Sequence, residues 1–236
     1  MVVNIAENIR IIRERIENAA SLCGRTSSEI KLMGVTKFHP LEMMAEAAPF
    51  LDFIGENRVQ EAALKRAELG NGRATCPWHM IGRLQRNKIR KAADIFDLIE
   101  SIDSRELATV LNNIIDERGG VKYPVFIEVN MSKEQSKGGV PENCVENLLQ
   151  YIIQYCKNID VLGFMTVAEA NADERILHAQ FGGLRKLCET MRKNTGLALP
   201  ELSMGMSGDY EIAIQEGSTI VRIGSAIFGT RYVFNK

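Results

Sequence analysis

Leu202-Ser203-Met204-Gly205-Met206-Ser207-Gly208-Asp209 and, further on, Ile220-Val221-Arg222-Ile223-Gly224-Ser225-Ala226-Ile227-Phe228-Gly229 are short apolar runs, each passing into small residues. Each reads as a strand whose end exposes backbone N–H groups. Working outward from them, short β-branched or apolar runs alternate with longer stretches of helical period, the pattern of a parallel sheet built from βα units. Strands are expected at 31–36, 52–55, 78–82, 97–102, 124–130, 160–166, 201–206 and 219–223. An opening helix is marked by Ile5, Ile9, Ile12 and Ile16, with Gly24 at its exit. Later helices are marked by Leu107, Leu111 and Ile114, by Val145, Leu148, Ile152 and Cys156, and by Leu177, Phe181, Leu184, Cys188 and Met191. Asp103 with Glu106 resembles a capping box. Gly182 and Gly183 weaken the last of these helices by roughly 1 kcal/mol each unless they serve close packing.

Eight strands with intervening helices in 236 residues predict an α/β protein, a single (β/α)8 TIM barrel with an extra N-terminal helix. An open doubly wound sheet is the alternative. The barrel is favoured because Lys37, Asn57, Thr166, Ser207 and Ser225 all fall where strands end, the face on which barrel enzymes build their sites. No linker, repeat or low-complexity segment interrupts the series, so residues 1–236 are expected to form one domain.

The chain is 45% hydrophobic and 25% charged, with a net charge of -1, so it carries no overall field for a polyanion. The basic stretch Arg83, Arg86, Lys88, Arg90 and Lys91 reads as a solvated helix face, and no nucleic-acid partner is expected. Cys23, Cys76, Cys144, Cys156 and Cys188 are irregularly spaced, which predicts neither a disulfide framework nor a metal site. Charged Glu7, Arg10 and Arg13 interrupt the N-terminal apolar residues, and no apolar run is long enough to span a bilayer; a cytoplasmic protein without a membrane partner is expected.

Lys37, in Gly34-Val35-Thr36-Lys37-Phe38-His39-Pro40, stands at the end of an early strand. An ammonium loses hydration at such a place unless it is paired, and a neutral amine is a nucleophile towards carbonyls. The plainer alternative is a lysine that has left the strand and points to water. The terminal segments offer a phosphate cup: Gly205, Gly208 and Gly224 leave amides unobstructed, and Ser207 and Ser225 add hydroxyl donors. Lysine and cup together point to a phosphorylated ligand held through an imine, and so to pyridoxal phosphate. Arg222, inside an otherwise apolar strand, needs a carboxylate or a bound acceptor. It either meets a pyridine nitrogen, keeping it unprotonated and narrowing the chemistry of the ring, or pairs with Glu56, Glu128 or Asp209.

Over its whole length the chain resembles the pyridoxal phosphate homeostasis protein family. The blocks that carry the likeness are Val35-Thr36-Lys37 with Pro40, Ile54-Gly55-Glu56-Asn57-Arg58-Val59-Gln60-Glu61, Trp78-His79-Met80-Ile81-Gly82 with Leu84-Gln85 and Asn87-Lys88, Gly163-Phe164-Met165-Thr166, and the two terminal segments. The resemblance implies a barrel like the N-terminal domain of alanine racemase, with pyridoxal phosphate carried as a Schiff base on Lys37. It places the phosphate at Ser207, Gly208, Gly224 and Ser225, the pyridine nitrogen near Arg222, and the ring among Asn57, His79, Met165 and Met204. Arg83, where a histidine is frequent, and Lys133 depart from the pattern. Lys137, in the loop Ser136-Lys137-Gly138-Gly139, is a candidate second, transient amine.

The chain stops at Lys236, soon after the last strand, so no second domain with a catalytic tyrosine is expected; Tyr232 reads as packing. The functional expectation is a carrier that stores, buffers and delivers pyridoxal phosphate, affecting amino-acid and keto-acid balance without efficient racemisation. Apoenzymes that use the cofactor would be its recipients, and a monomer is expected because a barrel closes its own edges. The alternatives are an amino-acid racemase or decarboxylase using pyridoxal phosphate, and an aldolase that forms a lysine imine with a sugar phosphate.

Overall fold

The computed structural model describes residues 3–70, 76–119, 121–134 and 136–229. Eight strands form its centre: β1 (Lys31–Val35), β2 (Phe53–Glu56), β3 (Trp78–Met80), β4 (Leu98–Ile102), β5 (Tyr123–Asn130), β6 (Ile159–Met165), β7 (Glu201–Ser203) and β8 (Ile220–Ile223). Each pairs in parallel with the next, and β8 pairs with β1, so the sheet closes into a barrel. A two-residue strand, Val140–Pro141, adds to the outer end of β5. The expected (β/α)8 barrel is the observed one.

The helices are α1 (Ile5–Leu22), α2 (Leu41–Ala47), α3 (Val59–Leu69), α4 (Ile89–Ile95), α5 (Arg105–Glu117), α6 (Val145–Tyr155), α7 (Glu174–Thr195), α8 (Tyr210–Gln215) and α9 (Ser225–Phe228). The extra N-terminal helix, α1, has a physical task. The last two helices are only 6 and 4 residues long, and α1 packs against both of them and against α2. Its buried stripe is the expected Ile5, Ile9, Ile12 and Ile16, continued by Ala19 and Ala20. Each buried isoleucine contributes roughly 1.5–3 kcal/mol. Asn4 caps its start by accepting the Glu7 N–H, and Asn8 Nδ2 donates to the Ile227 carbonyl at 2.8 Å, tying α1 to α9.

Most of the core lies between sheet and helices; a smaller apolar cluster of Met33, Leu98, Phe126, Met165 and Ile220 fills the barrel interior. Alternation along each strand therefore sorts residues: Leu202 and Met204 join the outer core, and Ser203 faces inward. No helix among the described residues is long and apolar enough to cross a membrane.

Three local expectations are corrected. The strand expected to run to Met206 ends at Ser203, because Gly205 takes φ 94°, and a Cβ there would lie 2.8 Å from Tyr210 Cα. The strand expected to reach Gly82 ends at Met80, where the chain turns so tightly that a Cβ on Gly82 would lie 2.3 Å from the Asn57 carbonyl oxygen. The cap of α5 is Ser104, whose hydroxyl accepts the Leu107 N–H, and not Asp103. Gly182 does serve close packing: a Cβ on it would come within 2.7 Å of Glu216 Oε2, just beyond α8.

Gly163 sits at an irregularity in the β5–β6 register, where Val125 faces Val161 but Phe126 faces Gly163. A Cβ there would stand 1.9 Å from the Glu201 carbonyl oxygen. Gly163→Ala is expected to lower unfolding stability by about 3 kcal/mol or more, measured by urea unfolding; a change below about 1 kcal/mol would contradict this packing.

Candidate functional site

A cavity of about 450 Å³ opens at the C-terminal ends of the strands. Lys37 lines it from the loop after β1, Asn57 from the end of β2, Arg222 from β8, and Ser207, Gly208, Gly224 and Ser225 from the loops after β7 and β8. These segments, far apart in the chain, become neighbours because β8 pairs with β1: the Gly224 backbone lies beside Val35, at the entrance to the Lys37 loop. The two cup segments are joined directly, since Ser207 Oγ accepts the Ala226 N–H at 3.3 Å. Asp209 Oδ1 accepts the Met206 N–H at 2.5 Å and closes the turn that presents Ser207 and Gly208; burial pushes its carboxyl above the ordinary range.

The glycines divide by cause. Gly205 is required by its own backbone, as above. A Cβ on Gly208 would meet nothing within 4 Å, and one on Gly224 would make only ordinary contacts with Val35. The protein's packing does not demand glycine at either, and both leave the backbone open at the cavity wall. Asn57 Oδ1 is buried without a hydrogen-bond partner at the cavity wall, an orphaned acceptor that a ligand donor would satisfy.

Arg222 forms part of the floor and is buried. Its Nη1 donates to Ser203 Oγ at 2.8 Å and its Nη2 to the Thr166 carbonyl at 2.7 Å. Ser203 in turn donates to Glu100 Oε2 at 2.5 Å, and Glu100 Oε1 is 2.7 Å from His79 Nδ1. Burial lowers the Arg222 pKa, and the carboxylates of Glu100, Glu128 and Asp209 oppose that shift. Of the three partners expected for Arg222, Glu128 and Asp209 act through space, and Glu56 instead faces α3, bonded to Lys65.

The cavity thus gathers Lys37, Asn57, Ser207, Gly208, Arg222, Gly224 and Ser225. His79, Met165 and Met204 do not line it. His79 is buried, stacked on Phe53 with ring centroids 4.3 Å apart, and reaches Arg222 only through Glu100 and Ser203. Met165 fills the barrel interior, and Met204 packs on the helical side of the sheet. Lys137 Nζ donates to the Ala168 carbonyl at 2.7 Å and pairs with Glu134 at 2.8 Å. Tyr232 lies outside the described residues. Sequence reading did not single out Glu100 and Ser203; the signal was available in Glu100, a carboxylate among Leu98, Ile99 and Ile102 of one short strand.

Glu128, on β5, is pushed up to about 7 by burial and by the nearby Asp103 and Glu100, against the pull of Arg222 and Arg83. Between its ordinary 4.5 and about 7 the folded protein keeps a proton that the unfolded chain has lost, so this group's contribution to stability falls as pH rises through that window. Unfolding free energy of the wild type relative to Glu128→Gln is expected to decline from pH 4.5 to 7 and level off above; a flat difference would contradict this environment.

Residues 3–232 match the model of the alanine racemase N-terminal domain family. The pyridoxal phosphate homeostasis protein of Aquifex aeolicus is 38% identical, over 97% of this chain and 99% of its own. A crystal structure of an unknown protein from Bifidobacterium adolescentis superposes with a TM-score of 0.86 at 35% identity, covering 95% of this chain and 94% of that one. PipY of Synechococcus elongatus, solved with PLP (pyridoxal phosphate) bound, gives a TM-score of 0.79 at 34% identity, covering 92% of this chain and all 100% of PipY. With eight parallel strands closed around a lysine and a cup of small residues, and a match along nearly its whole length, the chain belongs to the alanine racemase N-terminal domain family.

Proposed function

We propose that this chain binds pyridoxal phosphate at the barrel mouth, carries it on Lys37, and serves its homeostasis by storing, buffering and delivering it. The observation that carries this reading is the convergence of Lys37, the two small-residue segments and Arg222 on one cavity. It is supported by the names of the relatives, pyridoxal phosphate homeostasis proteins, and by the PLP bound in PipY. The residues fit the group: the cup offers amides and hydroxyls to a phosphate, Asn57 an unsatisfied acceptor, and Lys37 a primary amine.

When bound, pyridoxal phosphate supplies an aldehyde that condenses with a primary amine, forming a C=N bond and releasing water. Ser207, Gly208, Gly224 and Ser225 hold the phosphate end, and Lys37 is the amine. Arg222, held by Ser203 and Thr166, presents a permanent cation to the ring nitrogen and so disfavours its protonation. That withholds the strongest electron-withdrawing state of the ring and narrows the chemistry open to it. In this reading residues 1–236 act as one cofactor-binding unit, a cytoplasmic monomer whose recipients are apoenzymes that use pyridoxal phosphate.

Wild-type protein incubated with pyridoxal phosphate is expected to turn yellow and, after borohydride reduction, to carry the adduct on the Lys37 peptide; Lys37→Ala is expected to do neither. An adduct spread over surface lysines, or none, would contradict the assignment. Ser225→Ala is expected to weaken affinity by about tenfold or more through loss of a hydroxyl bond to a charged group, with unchanged thermal unfolding. Equal affinity would move the phosphate elsewhere.

A further inference from the structure

Behind the Lys37 loop, on the helical side of the sheet, lies a buried ionic cluster of Glu56, Glu61 and Lys65. Lys65 of α3 is nearly sealed, at 8% side-chain exposure, beside a fully buried Glu56. Its ammonium donates to Glu56 Oε1 at 2.6 Å, to Glu61 Oε1 at 3.0 Å and to the Thr36 carbonyl at 2.7 Å, which uses all three of its protons. Glu61 Oε1 also accepts the Phe38 N–H at 2.6 Å, and Thr36 Oγ1 donates to Glu56 Oε1 at 2.6 Å. The residues on either side of Lys37 are therefore both anchored to the same cluster. Phe38 is held there at φ 64°, a conformation that side-chain-bearing residues rarely adopt, and Arg58 lies over its ring at 4.9 Å.

A buried pair of Glu56 and Lys65 would be enough to seat α3 on the sheet. The bonds to the Thr36 carbonyl and the Phe38 N–H do something else, because they end on the backbone of the loop that carries Lys37. We propose that Lys65 and Glu61 are positioning residues for Lys37: by gripping the backbone before and after it, they fix the direction in which its side chain leaves the loop and enters the cavity. The proposal rests on the reading of Lys37 as the amine that condenses with the aldehyde. In that step a bond forms from Lys37 Nζ to the aldehyde carbon, and the aldehyde oxygen leaves as water with the two protons of the neutral amine. A clamp that holds the amine in line for attack acts on the rate of this step.

Lys65→Met alone would strip the cation from buried Glu56, so the charge-neutral pair Glu56→Gln/Lys65→Met and the milder Glu61→Ala carry the test. In both, covalent capture of pyridoxal phosphate by Lys37, followed as borohydride-fixed adduct against time, is expected to slow by about tenfold. Affinity for pyridoxamine phosphate, which has the same ring and phosphate but no aldehyde, is expected to stay within about twofold, since the cup is untouched. Glu61→Gln, which keeps an oxygen for the Phe38 N–H, is expected to recover most of the rate. In the ligand-free protein, amide exchange at Phe38 is expected to quicken by about tenfold in Glu61→Ala. Unchanged capture rates, or a parallel loss of pyridoxamine phosphate affinity, would overturn the proposal and leave the cluster a mere support of the fold. Absence of any Lys37 adduct in the wild type would overturn the underlying reading itself, a result distinguishable from both.

Discussion

A guanidinium nearly enclosed by a closed sheet is largely cut off from water, and Arg222 is the group on which the arrangement of this barrel turns. Its charge is met by the Ser203 hydroxyl and the Thr166 carbonyl directly and by Glu100 through Ser203. Those partners come from β7, the end of β6 and β4, so one side chain ties together strands on different sides of the barrel. Removing any one of them would leave a buried charge or a buried hydroxyl unsatisfied, a cost larger than that of most surface contacts. The polar chain ends at His79, which is why a histidine can sit buried among Phe53 and Phe126.

Above this floor the site is assembled by closure. Lys37 and the cup are separated by most of the chain, and only the β8–β1 pairing brings Gly224 beside Val35. The two sides are held in different ways. The cup is shaped by short backbone turns with small residues, fastened by Asp209 and Ser207. The lysine loop is held from outside the barrel by a buried ionic cluster on α3. The cavity between them is left to side chains that can meet a ligand.

How far the sequence made this visible depended on the kind of signal. All eight strands were legible, because buried parallel strands are continuous apolar runs between turn signals, and so was α1, because its isoleucines keep one face. Strand ends were not, since Gly205 and Gly82 end the pairing through a backbone dihedral and a close approach that no periodicity records. Lys37 and Arg222 stood out as charged residues in apolar strand surroundings, and Ser207, Gly208, Gly224 and Ser225 as small residues at strand ends; the cavity collects all six. Met204 could be sorted from Ser203 only once the inward face of β7 was known. Lys65 was invisible: a lysine on a helix reads as solvent-facing, and its partners Glu56 and Thr36 lie on different segments.

The reading of this barrel as a pyridoxal phosphate carrier is tested most directly by a crystal structure of the protein grown with pyridoxal phosphate. The expected result is electron density continuous from Lys37 Nζ into the ring, with the phosphate between Ser207–Gly208 and Gly224–Ser225 and Arg222 at the ring nitrogen. Density for the ligand outside this cavity, or a Lys37 side chain unconnected to it, would contradict the reading.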